Sequence, residues 1–291
     1  MKRLLWLLLW IVVWPGAMAC PTPEVAVVIA HPAAPYQKTA RALVQALERH
    51  RIPARIQTAD HLPPPRCPKV WVAVGSRAVA AIRKVDPDTP LVAVLVIDAS
   101  IIEKARPATG VTLMPPPEYQ WRWFRHLLPR VKTLGVLYTP DHHDRLQILA
   151  ELGQQDGITI VPIAVETPER LAEALTELPD SIKALWLLGN GRLFSATTAR
   201  SILMAAFRKR IPLIGLSRQW VEAGALYAFD WDYEALGRQA AEQVVRLWRH
   251  PQDLPPPAYP NQVHLAVNRQ VFRHLGLTLP YPLPEGTILL P

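Results

Sequence analysis

From Val25 onward the chain alternates short apolar runs with amphipathic stretches, and that alternation limits its fold more than any other feature. Residues 25–30 form an unbroken apolar run, as expected of a strand covered on both faces. Residues 36–48 follow with Ala40, Leu43, Val44 and Leu47 at helical spacing. Further strands are predicted at 54–58, 70–74, 91–97 and 111–113. Helices are predicted at 77–84, capped by Ser76, and from Pro117 to about Leu128. The pattern then restarts, with strands at 133–138, 159–163, 184–188, 212–215 and 225–229 and helices at 145–154, 168–178, 195–208 and 233–248. Segments 264–267 and 270–275 close the regular structure. Strands alternating with helices imply parallel sheets wound by right-handed crossovers, and two successive sets imply two doubly wound α/β lobes. Ligands in such sheets sit beyond the carboxyl ends of the strands, which places a site in the cleft between the lobes.

The first residues do not fit this pattern. Lys2 and Arg3 precede an apolar run at 4–14, Pro15-Gly16 break it, and Ala17-Met18-Ala19 supplies small residues at the two positions a signal peptidase reads. The run is too short for a spanning helix, which needs about 20 apolar residues. Residues 1–19 therefore read as a signal peptide, with a retained anchor as the alternative. Cys20 follows the cleavage site, where it could carry a lipid or pair with Cys67, the only other cysteine. Ala17 and Met18 match a lipoprotein signal poorly. The disulfide is favoured because strands one and three of a doubly wound sheet are parallel neighbours, so both cysteines reach the same end, away from the ligand cleft.

The formal charge of +8 includes Lys2 and Arg3; the remaining 30 basic and 24 acidic residues are scattered, unlike the stripe of a nucleic-acid binder. Gly189-Asn190-Gly191 is too short for a dinucleotide fingerprint, no Walker-type loop occurs, and neither Ser76 nor Ser217 has the flanking glycines of a nucleophile elbow. In Asp141-His142-His143-Asp144, neighbours in sequence rarely converge on one metal, and Asp141 reads as a helix cap. Nothing here assembles a catalytic set, so a binding protein without cofactor or metal is expected rather than an enzyme.

Several stretches together carry a family resemblance: residues 25–32 ending in His-Pro, VAVGSRA at 72–78, LPRVKTLGVLYTP at 128–140, and 184–196 with Asn190. Residues 212–240, containing Val221-Glu222-Ala223-Gly224-Ala225, Asp232-Tyr233 and Leu236-Gly237, are the most specific, and Asn268 with Leu275-Gly276-Leu277 completes the pattern. The chain resembles the ABC transporter substrate-binding family, a branch of the type I periplasmic binding proteins that includes aromatic amino-acid binders. It departs from that pattern after the fourth strand, where Asp98 is followed by Ala99-Ser100 rather than proline. The resemblance implies two lobes joined by a three-crossing hinge. Residues 24–128 and 230–258 would form the N-terminal lobe, and 129–229 and 259–291 the C-terminal one. It also implies a monomeric periplasmic receptor that delivers a small solute to an inner-membrane ABC permease and binds no nucleic acid. The alternative is an orphan sensor using the same cleft without a transporter.

Strand ends nominate the ligand contacts. His31, Ser76 and Asp98 end or follow strands of the first lobe; Tyr138, Asn190 and Ser217 do so in the second. Phe229-Asp230-Trp231 lies where the chain returns to the first lobe; Phe229 would wall the cleft and Asp230 would read a cationic group. A helix start at Ser76 suits a carboxylate, Tyr138 offers stacking area, and Asn190 both donates and accepts. The mixture points to a zwitterionic or aromatic solute. Each position also has a plain structural role open to it, as a cap, a turn or core packing.

Overall fold

The computed structural model describes residues 25–97, 99–189 and 193–291. The signal segment, Cys20, Asp98 and Asn190 lie outside the described residues. Strands β1 (Val25–Ile29), β2 (Ala54–Thr58), β3 (Val70–Val74), β4 (Leu91–Val96) and β5 (Ala108–Thr112) form one sheet in the order β2-β1-β3-β4-β5. All its pairings are parallel. Four of the strands are buried along their whole length, which is why β1, β3 and β4 run apolar instead of alternating. Helices α1 (Ala34–Arg49), α2 (Ser76–Val85), α3 (Ala99–Glu103) and α4 (Pro117–Leu127) connect or follow them.

The second sheet contains β6 (Thr133–Tyr138), β7 (Thr159–Ala164), β8 (Ala184–Leu188), β9 (Leu213–Ile214), β10 (Tyr227–Trp231), β11 (Val263–Asn268) and β12 (Ile288–Leu290). Their order is β12-β11-β10-β9-β8-β6-β7, parallel except where β11 runs against β10. Helices α5 (His143–Gln155), α6 (Pro168–Thr176), α7 (Ala196–Lys209), α8 (Arg218–Glu222), α9 (Tyr233–Arg249) and α10 (Arg269–His274) complete the chain. Mostly parallel sheets flanked by helices are the doubly wound α/β architecture the alternation predicts.

Four local expectations change. Gly75, at φ +99°, is the N-cap of α2, and Ser76 is its first helical residue. The strand expected at 225–229 is shifted by two residues, so Phe229 and Asp230 lie inside β10 instead of in the crossover beyond it. Regular structure continues past residue 275 into β12, which pairs with β11. Asp141 does not cap a helix: it lies within the 3-10 turn Pro140–His142, whose N-cap is Thr139.

Helix α9 follows a strand of the second sheet yet packs on the first. Its small face, including Gly237, Ala240 and Ala241, lies on α1, and it also contacts β3, β4 and β5. Three polar ties hold it there. Thr39 donates its hydroxyl to the Tyr233 carbonyl at 3.0 Å. Gln243 donates to the Gly110 carbonyl at 3.1 Å and accepts from the Thr109 hydroxyl at 3.2 Å. Lys69 donates to the Trp248 carbonyl and sits 4.7 Å from that ring's centre. After α9 the proline-rich return segment bonds to the free edge of β5, where the Ala258 N–H meets the Gly110 carbonyl at 2.8 Å. Such cover protects an edge that would otherwise be open to another chain.

At the end of the first sheet away from the strand tips, Asp86 is 1% exposed and fully hydrogen-bonded. It accepts from the Arg66 N–H at 2.7 Å, Trp71 Nε1 at 2.9 Å, and the N–H and hydroxyl of Thr89 at 3.1 and 2.9 Å. Burial alone would raise its carboxyl, but these donors outweigh it and hold the group down at about 2. Arg83 fastens the same end, donating to the carbonyls of Asp86, Thr89, Ala105 and Pro107 at 2.6–2.9 Å. Cys67 adjoins this network, and no described cysteine is a free thiol.

Candidate functional site

The carboxyl ends of the parallel strands carry the nominated residues, and the chain crosses between sheets beside them. After β1, exposed His31 accepts the Ala33 N–H on Nδ1 at 3.1 Å, which fixes the ring next to the first turn of α1. Its ring centre lies 5.9 Å from that of Tyr36. Tyr36 in turn covers Gly75: a Cβ there would fall 2.7 Å from the tyrosine ring and 3.1 Å from the Ala30 Cβ. Ser76 is exposed beside it, at the start of a helix whose N-cap supplies no side-chain hydrogen bond.

From the second sheet, half-buried Asp230 approaches the same place. Burial raises its carboxyl above the usual range, opposed by the Trp231 N–H and the neighbouring Arg218 and His264, with Glu222 adding to the rise. Arg218 is already paired with Glu222 at 2.8 Å, and Asp230 belongs to no ion pair among the described residues. Tyr233 lies within electrostatic reach of Asp230 and Tyr36. Burial, then Asp230, then Tyr36 push its hydroxyl up to about 12, so it remains a neutral donor at any physiological pH. Tyr36 thus adjoins His31 and Gly75, and Tyr233 feels both Asp230 and Tyr36; the strand-end argument nominated neither tyrosine.

The other nominated residues that are described sit on β6, at the N-cap of α8 and on the far face of β10. Phe229 points to the opposite face of β10 from Asp230, as strand alternation requires. It is 5% exposed, with Tyr119 of α4 at 5.8 Å and Tyr227 at 6.3 Å between ring centres. Tyr138 is partly buried and its ring lies 6.3 Å from His143. Ser217 is the N-cap of α8, directly before Arg218. Asp98 and Asn190 follow β4 and β8 but are outside the described residues. No group of three or more potential metal ligands occurs among the described residues.

Gly75 permits a direct test of this packing. Replacing it with alanine adds a Cβ against the Tyr36 ring in a backbone conformation that disfavours side chains. We expect a loss of about 1–2 kcal/mol in urea unfolding together with weaker ligand binding. A variant with unchanged stability would show that the Tyr36–Gly75 contact is loose.

Comparison with known proteins bears on this geometry directly. The family described as ABC transporter substrate binding protein matches residues 65–284. The chain belongs to that family. The matched region starts in the loop before Cys67 and includes α2, both crossovers around α9, Asp230 and Tyr233. The family's description is one of substrate binding. No curated protein gives a significant match.

Solved structures show the same fold at low identity. A conserved domain protein from Vibrio cholerae aligns with a TM-score of 0.66 at 21% identity, covering 89% of this chain and 96% of its own. The ligand-free, open form of a Clostridium difficile substrate binding protein with adhesive properties gives 0.72 at 18%, covering 92% and 99%. An ABC domain from Streptococcus pneumonia in complex with L-Trp gives 0.65 at 17%, covering 88% and 96%. The likeness to periplasmic binding proteins establishes the type I architecture for this substrate-binding protein.

Proposed function

We propose that this protein is an exported receptor that closes two lobes around a small zwitterionic or aromatic solute and delivers it to an ABC importer. The lobes would be 24–128 with the α9 segment to 258, and 129–231 with 259–291. The second crossing is set at Asp232 because Asp230 and Trp231 pair with His264 and Val263 in the second sheet. The observation that carries the reading is Asp230, a half-buried carboxylate with no ion pair among the described residues, near Tyr233 at the crossover, with Tyr36 also within electrostatic reach of Tyr233. An ammonium group there would supply the missing partner, and the aromatic rings would take an apolar body. His31 and Ser76 would face the carboxylate end, with Asp98, Tyr138, Asn190, Ser217 and Phe229 as further proposed contacts or supports. The Streptococcus pneumonia complex with L-Trp supports an amino-acid-like ligand. Export would be directed by residues 1–19, leaving Cys20 to pair with Cys67 at the Asp86 end of the first sheet. Titration of the unreduced mature protein should then find no reactive thiol; two thiols, or a lipid on Cys20, would exclude the pair.

Thermal shift against aromatic amino acids, nucleosides, sugars and metal ions tests the ligand class. A ligand at a hundred times its dissociation constant adds about 2.7 kcal/mol. Amino acids should stabilise the protein and sugars should not; stabilisation by sugars or metals alone would reject the proposal. The pH dependence follows from Asp230. An ammonium ligand pairs with the ionised carboxylate, and burial raises that group's pKa. Affinity should therefore fall on acidification, starting at higher pH than for an exposed aspartate, and Asp230→Asn should flatten the profile. An unchanged acid limb in that variant would remove Asp230 from the site.

A further inference from the structure

The outer face of the second sheet carries a second cavity. Between α7 and α8 lies a space of about 530 Å³ whose walls include Phe194, Leu203, Met204 and Trp220, with Arg200 and Gln219 as its polar members. A further space of about 370 Å³ shares Leu203 and continues between α7 and α10, past Phe207, Val271 and Leu275. Together they form an elongated apolar channel rather than a compact pocket. Met204 and Phe207 are 46% and 57% exposed, although apolar side chains of this size gain by burial. Phe194 packs against Gly189 at the end of β8, but Tyr36, Asp230 and Tyr233 are not among the lining residues of either space.

Charge identifies its occupant. Arg200 forms no ion pair among the described residues, whereas Arg218 on the neighbouring helix is satisfied by Glu222 at 2.8 Å. Arg208, Arg269 and Arg273 stand exposed on α7 and α10 next to channel-lining positions, and no acidic residue lines either space among the described residues. An apolar trough with an unpaired guanidinium at its mouth fits an aliphatic chain ending in a carboxylate. The chain would replace water along Leu203, Met204 and Val271, and the head group would take the fork of Arg200. The volume suits a small ligand lying along α7.

We propose that this channel is a second ligand site, separate from the interlobe cleft, and that it takes a free medium-chain monocarboxylate. Isothermal titration of the mature protein with dodecanoate, below its micelle concentration, tests it. Dodecanoate should bind saturably at one per chain, while dodecyl maltoside and dodecyltrimethylammonium bind at least about tenfold more weakly. Arg200→Gln, an exposed change, should weaken dodecanoate about tenfold. Ala199→Trp should fill the wider space and abolish binding, with circular dichroism confirming the fold. Asp230→Asn should leave dodecanoate binding unchanged, so a failed cleft reading and a failed channel reading give different results. The proposal is overturned if dodecanoate does not bind, or binds equally to both channel variants. It is overturned equally if the variants affect only flotation with phosphatidylglycerol vesicles, or if this face instead forms a dimer in ultracentrifugation.

Discussion

Gly237→Ala is expected to destabilise the protein by about 3 kcal/mol, near the upper end of the usual range for overpacking. A Cβ at that position would fall 2.3 Å from the Thr39 carbonyl oxygen and 3.0 Å from the Leu43 nitrogen. Both atoms are backbone on the opposing helix, so no side-chain rotation relieves the clash. The helices must separate, and with them the Thr39–Tyr233 hydrogen bond that positions the start of α9. Urea unfolding should show a lower midpoint with an unchanged slope. Gly157→Ala is the control: nothing lies within 4 Å of its Cβ, and only its φ of +63° opposes the change. That variant should lose about 1 kcal/mol. Equal losses at the two glycines would mean that the α1–α9 contact yields easily.

Asp86→Ala should cost about as much, by another route. Trp71 is fully buried, and its Nε1–H would lose its acceptor, as would the N–H groups of Arg66 and Thr89. Orphaning one buried donor costs about 1–3 kcal/mol, so a total near 3 kcal/mol is expected once water reaches the more exposed members. The native carboxyl also sets the acid limb of stability. Its pKa is held at about 2 when folded, against 3.8 for the free side chain. The stabilisation is therefore complete above the unfolded value and is lost as pH falls through the folded one. Between pH 4 and below 2 the wild type should lose about 2 kcal/mol from this group. Asp86→Asn should lack that component, and an identical acid profile in the variant would contradict the assignment.

The sequence disclosed the sheets better than it disclosed the site. Strands such as VAVVI and LVAVLV are buried on both faces, so they leave unbroken apolar runs that need no partner to be recognised. Helices α3 and α8, at five residues each, are shorter than any window in which helical periodicity can register. Strand β12 has three residues and forms only because β11 offers it an edge. Strand-end reasoning nominated His31, Ser76 and Asp230, because the fold dictates where those positions go. It did not nominate Tyr36 and Tyr233, which lie in the first turns of helices and resemble ordinary packing residues. The available signal was the pairing of Gly75, which demands a close neighbour, with an aromatic residue opening the preceding helix. Phe229 and Asp230 were grouped as neighbours in a crossover; once β10 extends to Trp231, alternation sends them to opposite faces.

The central claim is that a solute closes two lobes about the crossover at Asp232. Small-angle X-ray scattering measures that motion on the mature protein, with and without the amino acid that gives the largest thermal shift. On that claim, three chain crossings would restrict the lobes to opening and closing, and the ligand would favour the closed form by its differential affinity for it. The radius of gyration should fall at saturating ligand in the wild type and stay at the unliganded value in Asp230→Asn at the same concentration. A ligand that saturates the wild type in calorimetry while leaving its radius of gyration unchanged would contradict the account.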